Sequence, residues 1–162
     1  MEELLWFVAH TRPRCEKKLA QYCEREGIDV TLPCYRSAHK YRGKVAVFRK
    51  PLFPGYVFLS MPALRRQRVY QSKYVANLLD VQDQRLFEQQ LKDILTALET
   101  ELEITVAPEI GEGKRVRIKS GPLRGIEAWV EKRTGMTLAL LRLDFIGQAA
   151  AVKVQATDLE LV

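Results

Sequence analysis

The chain has few of the residues that build disulfides and metal sites. Its 162 residues include three cysteines and two histidines, and no C-x-x-C pair. Cys15 and Cys23 stand eight positions apart in a predicted helix, about 12 Å along its axis at ~1.5 Å per residue, too far for a disulfide. We therefore expect free thiols and no metal site.

Long apolar runs are also missing. No stretch approaches the roughly 20 apolar residues that span a bilayer. The first nine residues carry acids where a signal peptide carries bases, and they continue into a strand-like pattern. We therefore expect a cytoplasmic protein without a membrane segment, built as one compact domain or two small ones.

Signatures of catalysis are absent as well. The sequence has no Ser/His/Asp order, no G-x-x-x-x-G-K phosphate loop and no carboxylate pair in an apolar setting. These absences predict a protein that is not an enzyme and holds no cofactor.

Positive charge is abundant and unevenly spread. The net charge is +6, and residues 36–50 contain six bases and no acid. A block of this kind is typical either of a solvated face or of a surface that contacts nucleic acid, and charge alone leaves both interpretations open.

Periodicity predicts an α+β first part, with helices packed on a mostly antiparallel sheet. A helix should begin near Thr11 and Pro13 and end at Gly27, and a basic hairpin should turn at Arg42-Gly43. The apolar stripe of residues 84–103 predicts a long amphipathic helix. Strands are expected at 5–9, 28–32, 56–60 and 74–81, with a short helix at 63–70.

The pattern of the second part predicts strands alone, at 116–118, 128–131, 138–143 and 149–154. Their Gly-rich spacing predicts a small five-stranded β-barrel. Between the two parts, residues 104–109 contain Pro108 and lack a helical pattern. We therefore predict a first domain at 1–103, a linker at 104–109 and a second domain at 110–162.

The segment Phe53-Pro-Gly-Tyr-Val-Phe58 raises a question about its surroundings. Pro54 and Gly55 suit the entry to a strand rather than its middle. Alternation then places Tyr56 and Phe58 on one face, and Val57 and Leu59 on the other. Because both faces are largely apolar, one should cover the core, and the other needs a helix or a partner.

Residues 112–131 match the KOW motif, with a basic strand, a Gly121-Pro-x-x-Gly125 turn and a second strand. KOW motifs occur in ribosomal proteins and in transcription factors. The opening Trp6-Phe-Val8 strand, the basic hairpin, the Phe53-Pro-Gly-Tyr56 strand and the long helix resemble the NusG N-terminal (NGN) domain. The chain is therefore identified as a member of the NusG/RfaH family, which implies an NGN α/β sandwich followed by a KOW barrel.

This resemblance implies a monomeric elongation and antitermination factor that suppresses pausing. Its first domain would bind the clamp helices of the largest RNA polymerase subunit. Carried onto this chain, the binding patch comprises Phe53, Pro54, Tyr56 and Phe58, with His10 at its edge. We expect this patch to be exposed, although each aromatic side chain could instead belong to the core.

The resemblance also implies contact with upstream or non-template DNA. The candidate residues are basic, apart from one tyrosine that would either stack on an unpaired base or pack on its own hairpin. They are Arg12, Arg14, Lys17, Lys40, Tyr41, Arg42 and Lys44.

The KOW domain of the family recruits Rho or a small-subunit ribosomal protein. The corresponding surface here includes Phe145 and Ile146, one of which strand alternation assigns to the core, together with Gly121 and Gly125. The compact chain and the short segment 82–85 favour an operon-specialised, RfaH-like paralog. An alternative that remains open is a ribosome- or RNA-binding protein that uses its KOW domain as ribosomal proteins do.

Overall fold

The computed structural model describes residues 3–107, 113–133 and 135–162. The chain divides into two compact units, which are described separately. The first combines Met1–Pro33 with Phe53–Leu86, and the second combines Cys34–Leu52 with Phe87–Val162.

The described residues form three α-helices and twelve strands. The helices are α1 Glu16–Arg25, α2 Arg66–Tyr70 and α3 Gln84–Leu98. The strands are β1 Leu5–Thr11, β2 Asp29–Thr31, β3 Cys34–Tyr41, β4 Lys44–Pro51, β5 Tyr56–Met61, β6 Val75–Asp80, β7 Ile104–Ala107, β8 Lys114–Ile118, β9 Glu127–Arg133, β10 Met136–Leu143, β11 Gln148–Lys153 and β12 Leu159–Leu161. The predicted mixed α/β class with antiparallel sheets is confirmed.

The first unit is built on a four-stranded antiparallel sheet in the order β2-β5-β1-β6. One face of this sheet buries Val57, Leu59 and Met61 of β5 beside Phe7 and Ala9 of β1. Helix α1 covers that face because Leu19 and Cys23, four residues apart, lie on one side of the helix. Gly27, at φ +70°, follows the helix as predicted.

The hairpin of β3 and β4 is a separate two-stranded sheet in the second unit. Its register runs from Cys34 opposite Pro51 to Tyr41 opposite Lys44. Arg42 and Gly43 both have positive φ, 50° and 77°. Two such residues match the twist of the flanking strands, so the predicted two-residue turn is confirmed.

Helix α3 begins after Asp83, whose carboxylate accepts a hydrogen bond from the Leu86 N–H at 3.0 Å. Its buried stripe includes Phe87, Leu91 and Ile94. The helix ends at Leu98, short of the predicted 103. Two hydrogen bonds of the Thr100 hydroxyl, to the Ala97 carbonyl and from the Leu102 N–H, replace helical bonding there.

The second unit also holds a six-stranded antiparallel sheet in the order β12-β8-β9-β10-β11-β7. Strands β8 to β11 correspond to the four predicted strands. Residues 104–107, inside the predicted linker, form β7 and pair with β11. Residues 108–109 lie outside the described ranges, and the domain boundaries and the closure of a five-stranded barrel stay predictions.

Within the described ranges, no helix is long and apolar enough to cross a membrane. The same ranges contain no group of three His, Cys, Asp or Glu side chains arranged to hold a metal ion. All three cysteines lie in these ranges, and no disulfide joins them.

Candidate functional site

The segment Phe53 to Tyr56 forms a tight turn that leads into β5. The Tyr56 N–H donates to the Phe53 carbonyl at 3.2 Å, and Gly55 has φ +89°. Proline followed by a left-handed glycine is typical of a type II turn. The Gly55 carbonyl then accepts a hydrogen bond from the Thr11 N–H at 2.9 Å, which attaches the turn to β1.

The predicted exposed aromatic patch is only partly exposed. Phe53 and Phe58 are 1% and 0% exposed, so the expectation that both lie on an open face was wrong. They belong to the core, where their rings meet edge to face with centroids 6.4 Å apart. Both faces of β5 are therefore covered at this point. Pro54 is exposed and Tyr56 is half-buried, so these two remain accessible.

His10 extends the accessible part of this segment. It lies opposite Tyr56 in the β1/β5 register, and the two ring centroids are 5.4 Å apart. A methyl group added at Gly55 would lie 3.7 Å from the imidazole. We call His10, Pro54, Gly55 and Tyr56 the aromatic corner, a small surface on which an imidazole lies beside a phenol.

Three of the predicted nucleic-acid residues lie in the first unit, near the start of α1. Arg12, Arg14 and Lys17 are all exposed. Arg14 has a left-handed backbone, φ 61°, and the Arg12 N–H donates to the Tyr74 carbonyl at 2.8 Å. These features fix the backbone of the segment while leaving its cationic side chains at the surface.

The other four, Lys40, Tyr41, Arg42 and Lys44, surround the tip of the hairpin in the second unit, and all are exposed. The Arg42 guanidinium lies 5.6 Å from the centre of the Tyr41 ring, so Tyr41 packs on its own hairpin. Tyr41 as a whole nevertheless stays 69% exposed. It therefore keeps a free face on which another flat group can stack.

The predicted KOW partner residues lie in a short 3-10 turn, Asp144–Ile146, that is followed by Gly147 at φ 67°. Phe145 is 37% exposed and Ile146 is half-buried. Strand alternation predicted that one of the two is a core residue, which was wrong because this segment is a 3-10 turn. The Phe145 ring meets the Phe87 ring of α3 edge to face, with centroids 6.2 Å apart.

Gly121 and Gly125 shape the connection between β8 and β9. Both have φ near +90°, where a side chain is strained. The Gly125 N–H donates to the Ile118 carbonyl at 2.7 Å, and the Arg124 N–H donates to the Gly121 carbonyl at 3.2 Å. These bonds give the two glycines a structural role, and their predicted role in partner binding stays a prediction.

A further cluster, which sequence reasoning missed, surrounds Trp129 on β9. The guanidinium groups of Arg142 and Arg115 lie 4.4 and 5.7 Å from its ring centre. Arg115 also donates a hydrogen bond to Glu127, and this bond, together with the positive charge of Arg115, holds the pKa of the Glu127 carboxyl below its usual 4.5. The KOW motif contained Trp129, Arg115 and Glu127, but only the sheet register brings Arg142 beside them.

Comparison with known proteins matches residues 4–95 to the family model described as "Transcription termination factor nusG". The chain is also 28% identical over 176 aligned residues to the "Transcription termination/antitermination protein NusG" of Lactococcus lactis subsp. lactis (strain IL1403). That alignment covers 96% of this chain and 91% of the relative. The family model spans the sheet of the first unit, the hairpin and most of α3. The chain therefore belongs to the NusG family of transcription termination and antitermination factors.

Proposed function

We propose that this protein is a cytoplasmic, monomeric elongation and antitermination factor that binds the clamp helices of the largest RNA polymerase subunit. The binding surface is the aromatic corner, since it is the accessible part of the predicted patch. Phe53 and Phe58 support this surface from within the core. The observation that carries the proposal is the family match over residues 4–95, which contain all four residues of the corner.

The bound factor suppresses pausing and contacts the upstream or non-template DNA through its basic residues. Its KOW domain, residues 110–162, recruits Rho or a small-subunit ribosomal protein through Phe145 and Ile146. The partial exposure of these two side chains supports that role.

The test is binding of the purified chain to core RNA polymerase. Tyr56→Ala should weaken binding at least tenfold, because tyrosine is among the residue types that contribute most of the binding energy at protein interfaces. Leu64→Ala is the matched control, since Leu64 is exposed on the same unit and lies outside the corner. Equal affinities of the two variants would remove the corner from the interface.

A pause assay on two templates then separates a general factor from an RfaH-like, operon-specialised one. A general factor reduces pausing on any template, whereas a specialised one acts only where a particular DNA element is present. If the chain binds ribosomes or RNA but not polymerase, the alternative role as a ribosome- or RNA-binding KOW protein replaces this proposal.

A further inference from the structure

The cluster around Trp129 holds one guanidinium group in a fixed orientation. The Arg142 guanidinium lies 4.4 Å from the centre of the Trp129 ring. Arg142 Nε donates to Asp144 Oδ1 at 2.8 Å, and the other oxygen of that carboxylate accepts from Gln90. Contact with an indole and a hydrogen bond at Nε together restrict the plane and the direction of the guanidinium. Arg142 therefore loses little further freedom when it binds a ligand.

The two terminal nitrogens of Arg142 are available to a ligand. Among the residues that the structure describes, neither nitrogen has a hydrogen bond or ion pair with another group of the chain. The Arg142 side chain is 27% exposed, so an acceptor from outside can reach it. Two parallel N–H groups of a guanidinium match the two oxygens of a carboxylate or the oxygens of a phosphate. The arrangement therefore suits an anionic group.

Arg115 brings a second positive charge to the same ring. Its guanidinium lies 5.7 Å from the centre of the Trp129 ring, and its side chain is 55% exposed. Arg115 donates to Glu127, but this carboxylate also accepts from Arg117 at 3.3 Å. Because one carboxylate is shared between two guanidinium groups, the charge of Arg115 is compensated only in part.

Neighbouring acids favour a single carboxylate over a chain of phosphates. Glu160 lies 3.9 Å from Arg117, and Glu127 lies on its other side. The register of β12, β8 and β9 places these three residues side by side across the sheet. A nucleic acid laid on this face would meet both carboxylates, and contact between like charges is unfavourable. An acidic side chain of a protein needs only the end of Arg142.

The cluster adjoins the turn that the proposed function assigns to a partner. Asp144, which accepts the Arg142 hydrogen bond, is the first residue of that turn, and Phe145 follows it with 37% of its surface exposed. Tryptophan and arginine are among the residue types that contribute most of the binding energy at protein interfaces. An acidic side chain bound to Arg142 would therefore lie near an apolar contact at Phe145.

We propose that Trp129, Arg142 and Arg115 form a docking site for a carboxylate of a protein partner, in a segment where an acidic residue lies close to an apolar one. Arg142 binds the carboxylate, Trp129 holds Arg142 in position, and Arg115 adds positive charge. This inference rests on the proposed function, since the partner is the one that the KOW domain recruits. It extends the partner surface beyond Phe145 and Ile146.

The experiment is an NMR titration of the full chain that follows the indole N–H signal of Trp129, so binding to other basic surfaces does not enter. One probe is an N-acetylated, C-amidated hexapeptide of alternating leucine and glutamate. The second probe has glutamine in place of each glutamate. The ratio of the two affinities measures the preference of the site for a carboxylate.

Two variants that keep the net charge are compared. Arg142→Lys loses the pair of parallel N–H groups. Arg117→Lys is the matched control, because Arg117 lies on the same sheet but stands opposite Glu127 rather than Trp129 in the β8/β9 register. Circular dichroism establishes that both variants fold.

The unmodified sequence should bind the glutamate peptide about tenfold more tightly than the glutamine peptide, as expected for one hydrogen bond to a charged group. In Arg142→Lys this preference should fall to about twofold, the weak attraction of an exposed ammonium group. Arg117→Lys should retain the full preference. A substitution that only disturbs the turn would weaken both peptides equally and leave the ratio unchanged.

The proposal is overturned if the unmodified sequence shows no preference, if Arg142→Lys keeps it, or if both variants lose it equally. Tighter binding of a single-stranded oligouridylate at Trp129 would also overturn it, because the site would then bind a nucleic acid. Rho and the small-subunit ribosomal protein are titrated into the same chains. If neither binds, the recruiting role in the proposed function fails, and the two peptides still decide this inference. Binding of either protein that is unaffected by Arg142→Lys would overturn this inference alone.

Discussion

Gln90 and Asp144 are joined by two hydrogen bonds that run in opposite directions. The Asp144 N–H donates to Gln90 Oε1 at 2.9 Å, and Gln90 Nε2 donates to Asp144 Oδ2 at 3.0 Å. The other carboxylate oxygen accepts from Arg142 Nε at 2.8 Å. One amide side chain of α3 thus fixes both the backbone and the side chain at the start of the turn that carries Phe145.

Replacing Gln90 with alanine should lower the free energy of unfolding by about 1–2 kcal/mol, since two hydrogen bonds are removed, one of them to a charged group. Urea unfolding followed by circular dichroism measures the change. Gln89→Ala is the control, because its amide bonds Asp93 on the same helix and the side chain is exposed. If the control costs as much as Gln90→Ala, the interaction with Asp144 contributes nothing measurable.

Phe58→Ala should cost about 3–5 kcal/mol, as expected for removing a fully buried ring. Tyr56→Ala should cost clearly less, because Tyr56 is half-buried. Thermal unfolding of both variants gives the comparison. A loss of polymerase binding in Phe58→Ala therefore reflects unfolding, whereas the same loss in a folded Tyr56→Ala reports on the interface. Equal stability of the two variants would contradict the burial of Phe58.

The pH dependence of the free energy of unfolding tests the burial of the Cys23 thiol. Burial, followed by the negative charges of Glu24 and Glu26, raises the pKa of Cys23 from 9.0 to about 11. Between these values the unfolded chain loses its thiol proton and the folded chain keeps it, so stability should fall as pH rises from 9 to 11. The expected loss is about 2 kcal/mol, at ~1.4 kcal/mol per pH unit with allowance for relaxation.

Urea unfolding at pH 8.5 and pH 10.5 measures this loss, with Cys23→Ala as the comparison. The variant is less stable at both values, but its stability should depend less on pH over this window. The same slope in both proteins would show that Cys23 does not ionise on unfolding.

The contribution of Glu127 to stability should change at acidic pH, in contrast to that of Cys23. Because the hydrogen bond from Arg115 and its charge lower the pKa of Glu127 below 4.5, the stability from this pair is present above pH 4.5 and is lost as pH falls through the lower pKa. Carboxyl NMR titration should give a depressed pKa that returns toward 4.5 in Arg115→Gln. Arg124→Gln, on an exposed loop residue, is the control, and a matching shift there would indicate a general charge effect.

Local patterns predicted much of the fold. The Arg42-Gly43 turn set the hairpin register, and the 3.6-residue stripe located α3. Strands β7 and β12 were missed because they are short. Their partner strands also lie roughly 45 positions away along the chain, a separation that no local periodicity encodes. The burial of Phe53 was also unpredictable, since an apolar residue beside a proline-glycine turn suits a core and an interface equally.

The residues of the candidate site were also predicted only in part. The sequence indicated which residues are basic and aromatic, and the structure placed Arg12, Lys40 and Tyr41 at the surface as expected. It did not indicate that Arg142 lies against the Trp129 ring, because only the sheet register brings the two together. The interaction of Gln90 with Asp144 joins residues 54 positions apart and has no signature in either segment.

The two guanidinium groups beside Trp129 have a consequence for fluorescence. The chain has two tryptophans, Trp6 in the first unit and Trp129 in the second, so each unit carries its own fluorophore. In Trp6→Phe the remaining emission reports on the surroundings of Trp129, where two cations lie against the indole. In Trp129→Phe it reports on β1 instead. The unfolding of the two units can therefore be followed one at a time, in the intact chain and without an added label.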